Sequence, residues 1–165
     1  MENESNYEFE LYPFEAFKTL LTLEINRTRR YKTPLSLIQL AIETEPEPDQ
    51  PEIRRQAEML AINILDAQLR DTDIPCKKDG EFLILMPATD APGGLVVCDR
   101  LAGVFNTEHQ TYDQVSFKLT AFIGMTSLGA GSSLPYTTLL EQTTTAMQHA
   151  RDHRSTTAIS FSNIK

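Results

Sequence analysis

The sequence is poor in the residues that build disulfide scaffolds and metal centres. Two cysteines among 165 residues, Cys76 and Cys98, make no disulfide framework and no metal-spaced pair. His109, His149 and His153 are the three histidines. His149 and His153 lie one helical turn apart but have no visible third ligand, so no metal and no cofactor is expected. No apolar run approaches the roughly 18–20 residues that a membrane span needs, which argues against membrane insertion. Residues 1–15 hold no Lys or Arg and no apolar core segment, so they do not read as a signal peptide. A basic surplus is missing as well. Fifteen Lys and Arg face 23 Asp and Glu, a formal charge of −8, which disfavours nucleic acid as a partner. A reducing cytoplasm is the simplest compartment.

What is present describes an ordinary globular chain. Hydrophobic residues make up 41% and charged residues 23%, and the length suits one domain over 1–165 with an acidic N-terminal tail at 1–12. The acidity is local. Glu2, Glu4, Glu8, Glu10 and Glu15 form one base-free stretch, and Glu43, Glu45, Glu47, Asp49 and Glu52 form another. The remaining residues carry 15 bases against 13 acids, so the body is slightly basic.

Hydrophobic periodicity orders the elements. Pro13 opens a helix with Phe14, Phe17, Leu21 and Ile25 on one face, and Thr33-Pro34 stops it. Residues 35–42 read as a buried strand. Residues 43–51, with Pro46, Pro48 and Pro51, read as an exposed loop stiffened towards polyproline II. Ile53, Ala57, Leu60, Ala61, Ile64, Leu65 and Leu69 mark an amphipathic helix. Asp79-Gly80 signals a hairpin between residues 74–78 and 81–87. A helix is predicted over 90–105, and a strand from Val115 to Ile123 that ends at Gly124-Met125-Thr126. A helix over about 135–154 and a short terminal strand at 157–161 complete the chain. The fold class is α/β, a βαββαβ core with added elements around a mixed, mainly antiparallel sheet.

Several stretches in this order resemble the GGDEF domain, the diguanylate cyclase fold of bacterial cyclic di-GMP signalling. They are Glu24-x-x-Arg27-x-x-Arg30-Tyr31, Pro34-Leu35-Ser36-Leu37, Leu69-Arg70-Asp71-Thr72-Asp73, the hairpin ending Gly80-Glu81-Phe82, residues 83–89, Phe122-Ile123-Gly124-Met125, and Ala146-Met147-Gln148-His149-Ala150-Arg151. The resemblance spans residues 14–161 and implies the nucleotide-cyclase-like fold. A family cyclase brings two GTP molecules together across a dimer, with two divalent ions held by carboxylates of the first strand and the signature hairpin.

The resemblance also implies that this active site is degenerate. The first-strand metal acid falls at Ala41, and Glu43 lies two residues on. The signature becomes Lys78-Asp79-Gly80-Glu81-Phe82, one residue shorter than usual, so Glu81 either keeps the signature acid's place or is moved off it. The guanine-reading segment is replaced by the acidic, Pro-rich stretch. Lys77 and Lys78 can face a phosphate or simply protect an edge strand. The chain is therefore expected not to be an enzyme. By the same resemblance the product-binding Arg-x-x-Asp is kept at Arg70 and Asp73, with Arg100 at the place of a second arginine. Arginine forks suit phosphate or the guanine O6/N7 edge, and a carboxylate suits guanine N1–H and N2–H. The reading is a catalytically inactive cyclic di-GMP receptor that hands its signal to a separate protein partner, with homodimerisation left open. A ligand-free interaction or dimerisation module is the alternative. Alone, Arg70 and Asp73 could also be a plain surface ion pair.

Overall fold

The computed structural model describes residues 10–45, 51–106, 109–112 and 114–164. Helix α1 (Phe14–Tyr31) follows Pro13, whose carbonyl accepts the Phe17 amide. The helix ends at Lys32, which takes a left-handed conformation (φ 59°). Strand β1 (Leu35–Glu45) leads to α2 (Pro51–Gln68). Strands β2 (Ile74–Lys78) and β3 (Glu81–Pro87) form the hairpin, followed by α3 (Ala91–Phe105), β4 (His109–Tyr112) and β5 (Val115–Leu128). Helix α4 (Tyr136–Asp152), β6 (Ile159–Ser160) and a 3₁₀ turn (Phe161–Asn163) close the described chain.

The sheet runs β2-β3-β1-β5-β4, antiparallel throughout, with β6 added parallel to β5 at Gly124 and Met125. Alternation along the strands divides the core into two faces. Ile38 and Leu40 of β1 pack with Phe82, Ile84 and Met86 of β3 beneath α2 and α3. Leu35, Leu37, Leu83 and Leu85 point the other way, towards α1 and the start of α4. Ala41, Phe122, Met147 and Ala150 extend that second face under the body of α4.

Several expectations are corrected. Glu43 and Glu45 belong to β1, paired with Thr120 and Lys118, rather than to a loop. Pro51 opens α2, because a helix's first turn tolerates the missing N–H. The polyproline reading otherwise falls on residues 46–50, outside the described residues. Strand β4 was not foreseen, since a four-residue polar strand carries little hydrophobic signal. β5 continues through Gly124 to Leu128 instead of ending there. Gly124 serves close approach: a β-carbon there would overlap the Met147 backbone nitrogen on α4. The terminal strand shortens to two residues before the 3₁₀ turn.

Asp79 (φ 54°) and Gly80 (φ 82°) are both left-handed, as a two-residue hairpin turn of the primed type requires. Lys78 therefore pairs with Glu81. This tight register fixes which face receives Glu81: that of Leu83 and Leu85, beside α4.

Candidate functional site

The Arg70 region forms where α2 gives way to β2. The Asp73 amide donates to the Arg70 carbonyl (3.0 Å), closing a turn. The Asp73 carboxylate answers by accepting from the Arg70 amide (2.8 Å) and from guanidinium Nε (3.2 Å) and Nη2 (2.8 Å). Arg70 Nη2 also donates to Thr89 Oγ1 (2.7 Å), and that hydroxyl donates to the Pro87 carbonyl (2.9 Å). The Asp73 side chain is 1% exposed, whereas that of Arg70 is 49% exposed. The guanidinium is thus fixed from within and open on its outer edge. The Asp73 hydrogen bond, reinforced by its charge, raises the Arg70 pKa against the opposing effect of burial.

A cleft of about 590 Å³ lies against this arginine, lined among others by Glu10, Tyr12, Asp66, Arg70, Asp71 and Asp73. That volume lies within the range of about 300–1,000 Å³ usual for small-molecule sites. Its N-terminal wall is anchored: the Tyr12 amide donates to the Pro75 carbonyl (2.9 Å), and Tyr12 bridges Cys76 in parallel at the open edge of β2. Arg100 comes close to this end of α2 but binds its terminus. Nε donates to Gln68 Oε1 (3.0 Å) and Nη2 to the Gln68 carbonyl (2.7 Å). This satisfies an orphan carbonyl at a helix C-terminus, where a cation is favoured.

The hairpin turn marks a second region at the other end of β2 and β3. Ala41 is buried against Phe122, Met147 and Ala150 and supplies no ligand atom. Glu81 accepts from Gln39 Nε2 (2.7 Å) and Arg151 Nη2 (2.5 Å), and Thr144 donates to Gln39 Oε1 (2.8 Å). Glu43 accepts from Arg154 Nη1 (2.7 Å), and Glu45 lies 3.6 Å from Arg154 Nη2. Glu81 and Glu43 therefore each already face an arginine of the α4 end. Among the described residues, Arg151 Nε is buried without a hydrogen-bond partner, a cost accepted to bring this cation against the sheet. Lys77 pairs with Glu58, and Lys78 with Asp79 (2.7 Å), on an edge strand.

A larger cleft of about 810 Å³ lies between the end of β1, α2 and the hairpin, lined in part by Ile42, Arg54, Ala57, Lys77, Gly80 and Phe82. Its walls mix apolar residues with charged ones, and the acids Glu43 and Glu58 are offset by Arg54 and Lys77. Among the described residues, no three His, Cys, Asp or Glu side chains gather in a way that could bind a metal. His149 and His153 stack on each other (4.2 Å). Burial raises the Cys76 thiol to about 11, opposed by Lys78, and the Cys98 thiol to about 12. Both are weak nucleophiles in the core. No helix among the described residues is long and apolar enough to cross a membrane.

Arg70 and Asp73 thus meet, Glu81 and Glu43 lie at one end of the sheet, and Arg100 is directed to Gln68. Sequence reasoning missed Thr89, Tyr12, Gln39 and Arg154. Thr89 stands in a stretch that carried the resemblance, but nothing in the sequence marks it as a partner of Arg70. Tyr12 fell within a stretch read as an acidic tail.

No family model matches the sequence, and no curated protein matches it. Solved structures do match the fold. The GGDEF domain of DgcB from Caulobacter crescentus, in complex with c-di-GMP, superposes with a TM-score of 0.77 at 10% identity, covering 99% of each chain. The FimX GGDEF domain from Pseudomonas aeruginosa gives 0.74 at 12% identity, over 92% of this chain and 94% of that one. Diguanylate cyclase SiaD from Pseudomonas aeruginosa, in complex with its activator SiaC, gives 0.74 at 18% identity. This match covers 87% of the present chain, which spans 56% of the SiaD chain. The chain has a GGDEF-like fold.

Proposed function

We propose that this chain is a catalytically inactive GGDEF-like domain that acts as a cytoplasmic receptor for cyclic di-GMP at the Arg70 cleft. The observation that carries the reading is the arginine fixed by Asp73 and Thr89, with its outer edge exposed beside a cleft of ligand size. A preset guanidinium fork loses little freedom on binding a phosphate or the guanine O6/N7 edge. Arg100 supplies a second cation nearby once its hold on Gln68 is exchanged for ligand.

Inactivity rests on the other end of the sheet. Two-metal catalysis needs carboxylates free to hold cations. Here Ala41 offers none, while Glu81 and Glu43 are paired with Arg151 and Arg154. The chain is read as one domain, with its output passed to a separate protein.

Isothermal titration of the whole chain with cyclic di-GMP tests the receptor reading, with binding expected and lost in Arg70→Ala. No heat and no thermal shift at roughly 100 micromolar ligand would overturn it. Incubation with GTP and Mg²⁺ or Mn²⁺ is expected to give no cyclic product.

A second reading, a ligand-independent interaction module, is favoured by α1, which exposes Leu23 (52%) and Tyr31 (65%). Partner capture that is lost in Leu23→Asp but unaffected by nucleotide would support it.

A further inference from the structure

Resting on the receptor reading, we infer that Tyr12 and Asp71 seat the guanine base, and that Asp73 is a positioning residue for Arg70 rather than a base reader. The Asp73 carboxylate is enclosed, and its oxygens accept from the Arg70 amide, Nε and Nη2. To accept from guanine it would have to release the arginine that the ligand also needs. Asp71, two residues earlier, is exposed, lines the same cleft and makes no hydrogen bond or ion pair among the described residues. It is a free acceptor next to Arg70 in sequence.

Tyr12 supplies the apolar surface. Its backbone is pinned to β2, and the residue is 42% exposed along the cleft wall. A ring on a fixed backbone offers a stacking face at little entropic cost. The charge of the cleft points to the same ligand edge. Glu10, Asp66 and Asp71 outnumber the one half-open arginine, so the cleft does not suit a phosphate alone. It suits a base edge rich in N–H donors, held beside a phosphate on Arg70. Guanine presents N1–H and N2–H together. Adenine presents an N1 lone pair there, which an exposed carboxylate repels.

The test is calorimetric titration of the whole chain and of Tyr12→Ala, Tyr12→Phe, Asp71→Asn and Asp73→Asn, using cyclic di-GMP and cyclic di-AMP, with a thermal melt of each variant. The wild type should prefer the guanine ligand by about tenfold or more, roughly the net worth of one hydrogen bond to a charged, solvent-accessible acceptor. Asp71→Asn should weaken cyclic di-GMP by about tenfold and erase that preference with its melt unchanged. Tyr12→Ala should weaken both ligands, as loss of one stacking face does, and Tyr12→Phe should restore them. Asp73→Asn should lower the melting temperature, a structural signature that Asp71→Asn lacks. If the wild type binds while Tyr12→Ala and Asp71→Asn each bind within about twofold of it, the base seat lies elsewhere and the inference is overturned. If the wild type itself does not bind, the receptor reading falls first and takes the inference with it.

Discussion

Arg70 with Asp73 and Arg151 with Glu81 are the same chemical pair at opposite ends of the β2–β3 hairpin, and they leave different groups available. At the Arg70 end the carboxylate is enclosed and the arginine is half exposed, so the free valence of the pair is cationic. At the turn end both partners are partly covered, 31% and 26% exposed, and Gln39 takes a further carboxylate oxygen. Little is left there for a ligand of either sign. An ion pair becomes a site through which of its partners still faces solvent, not through its presence.

Substitutions can break that contrast. The largest effect is expected from Ala41→Asp, which returns an acid to the first-strand position. Ala41 is 3% exposed among Phe122, Met147 and Ala150, so an unpaired carboxylate there should cost about 3 kcal/mol or more in urea unfolding. GTP turnover should not appear. Recovery of turnover with unchanged stability would show that the turn end is not closed.

Asp73→Ala comes next. It leaves the Arg70 amide without its acceptor and the guanidinium with only Thr89 and solvent, and should lower stability by about 2 kcal/mol. Glu81→Ala should cost about 1 kcal/mol, because Arg151 keeps some access to water. Equal losses in the two variants would erase the difference between the ends. The smallest effect, about 0.5 kcal/mol, is expected for Arg100→Ala, which removes only an exposed cap on α2. A cost near that of Asp73→Ala would mark Arg100 as a structural member of the first pair.

Much of the fold was legible because its long elements repeat their apolar residues cleanly. Phe17, Leu21 and Ile25 gave α1, and Asp79-Gly80 gave the hairpin. The short polar β4 was not legible in the same way, since tertiary pairing rather than local pattern makes it a strand, and β6, expected as a terminal strand over 157–161, keeps only the two residues that pair in parallel with β5. Part of the site was legible too. Arg70 and Asp73 meet as their spacing suggests, whereas the reach of Arg100 to Gln68 depends on how α3 lies beside α2. Arg154 was invisible for a physical reason. Its partners Glu43 and Glu45 lie more than a hundred residues away, in an acidic stretch that the following prolines make read as a loop.

Gly124 carries a consequence beyond packing. Because β5 offers no side chain there, α4 settles directly on the strand, and the same helix delivers Arg151 to Glu81 while the chain just past its end delivers Arg154 to Glu43. A single added methyl would lift the helix and lengthen both ion pairs together. The electrostatic balance of the turn end is therefore set by the thickness of one residue on a neighbouring strand, a mechanical spacer that bears no charge of its own.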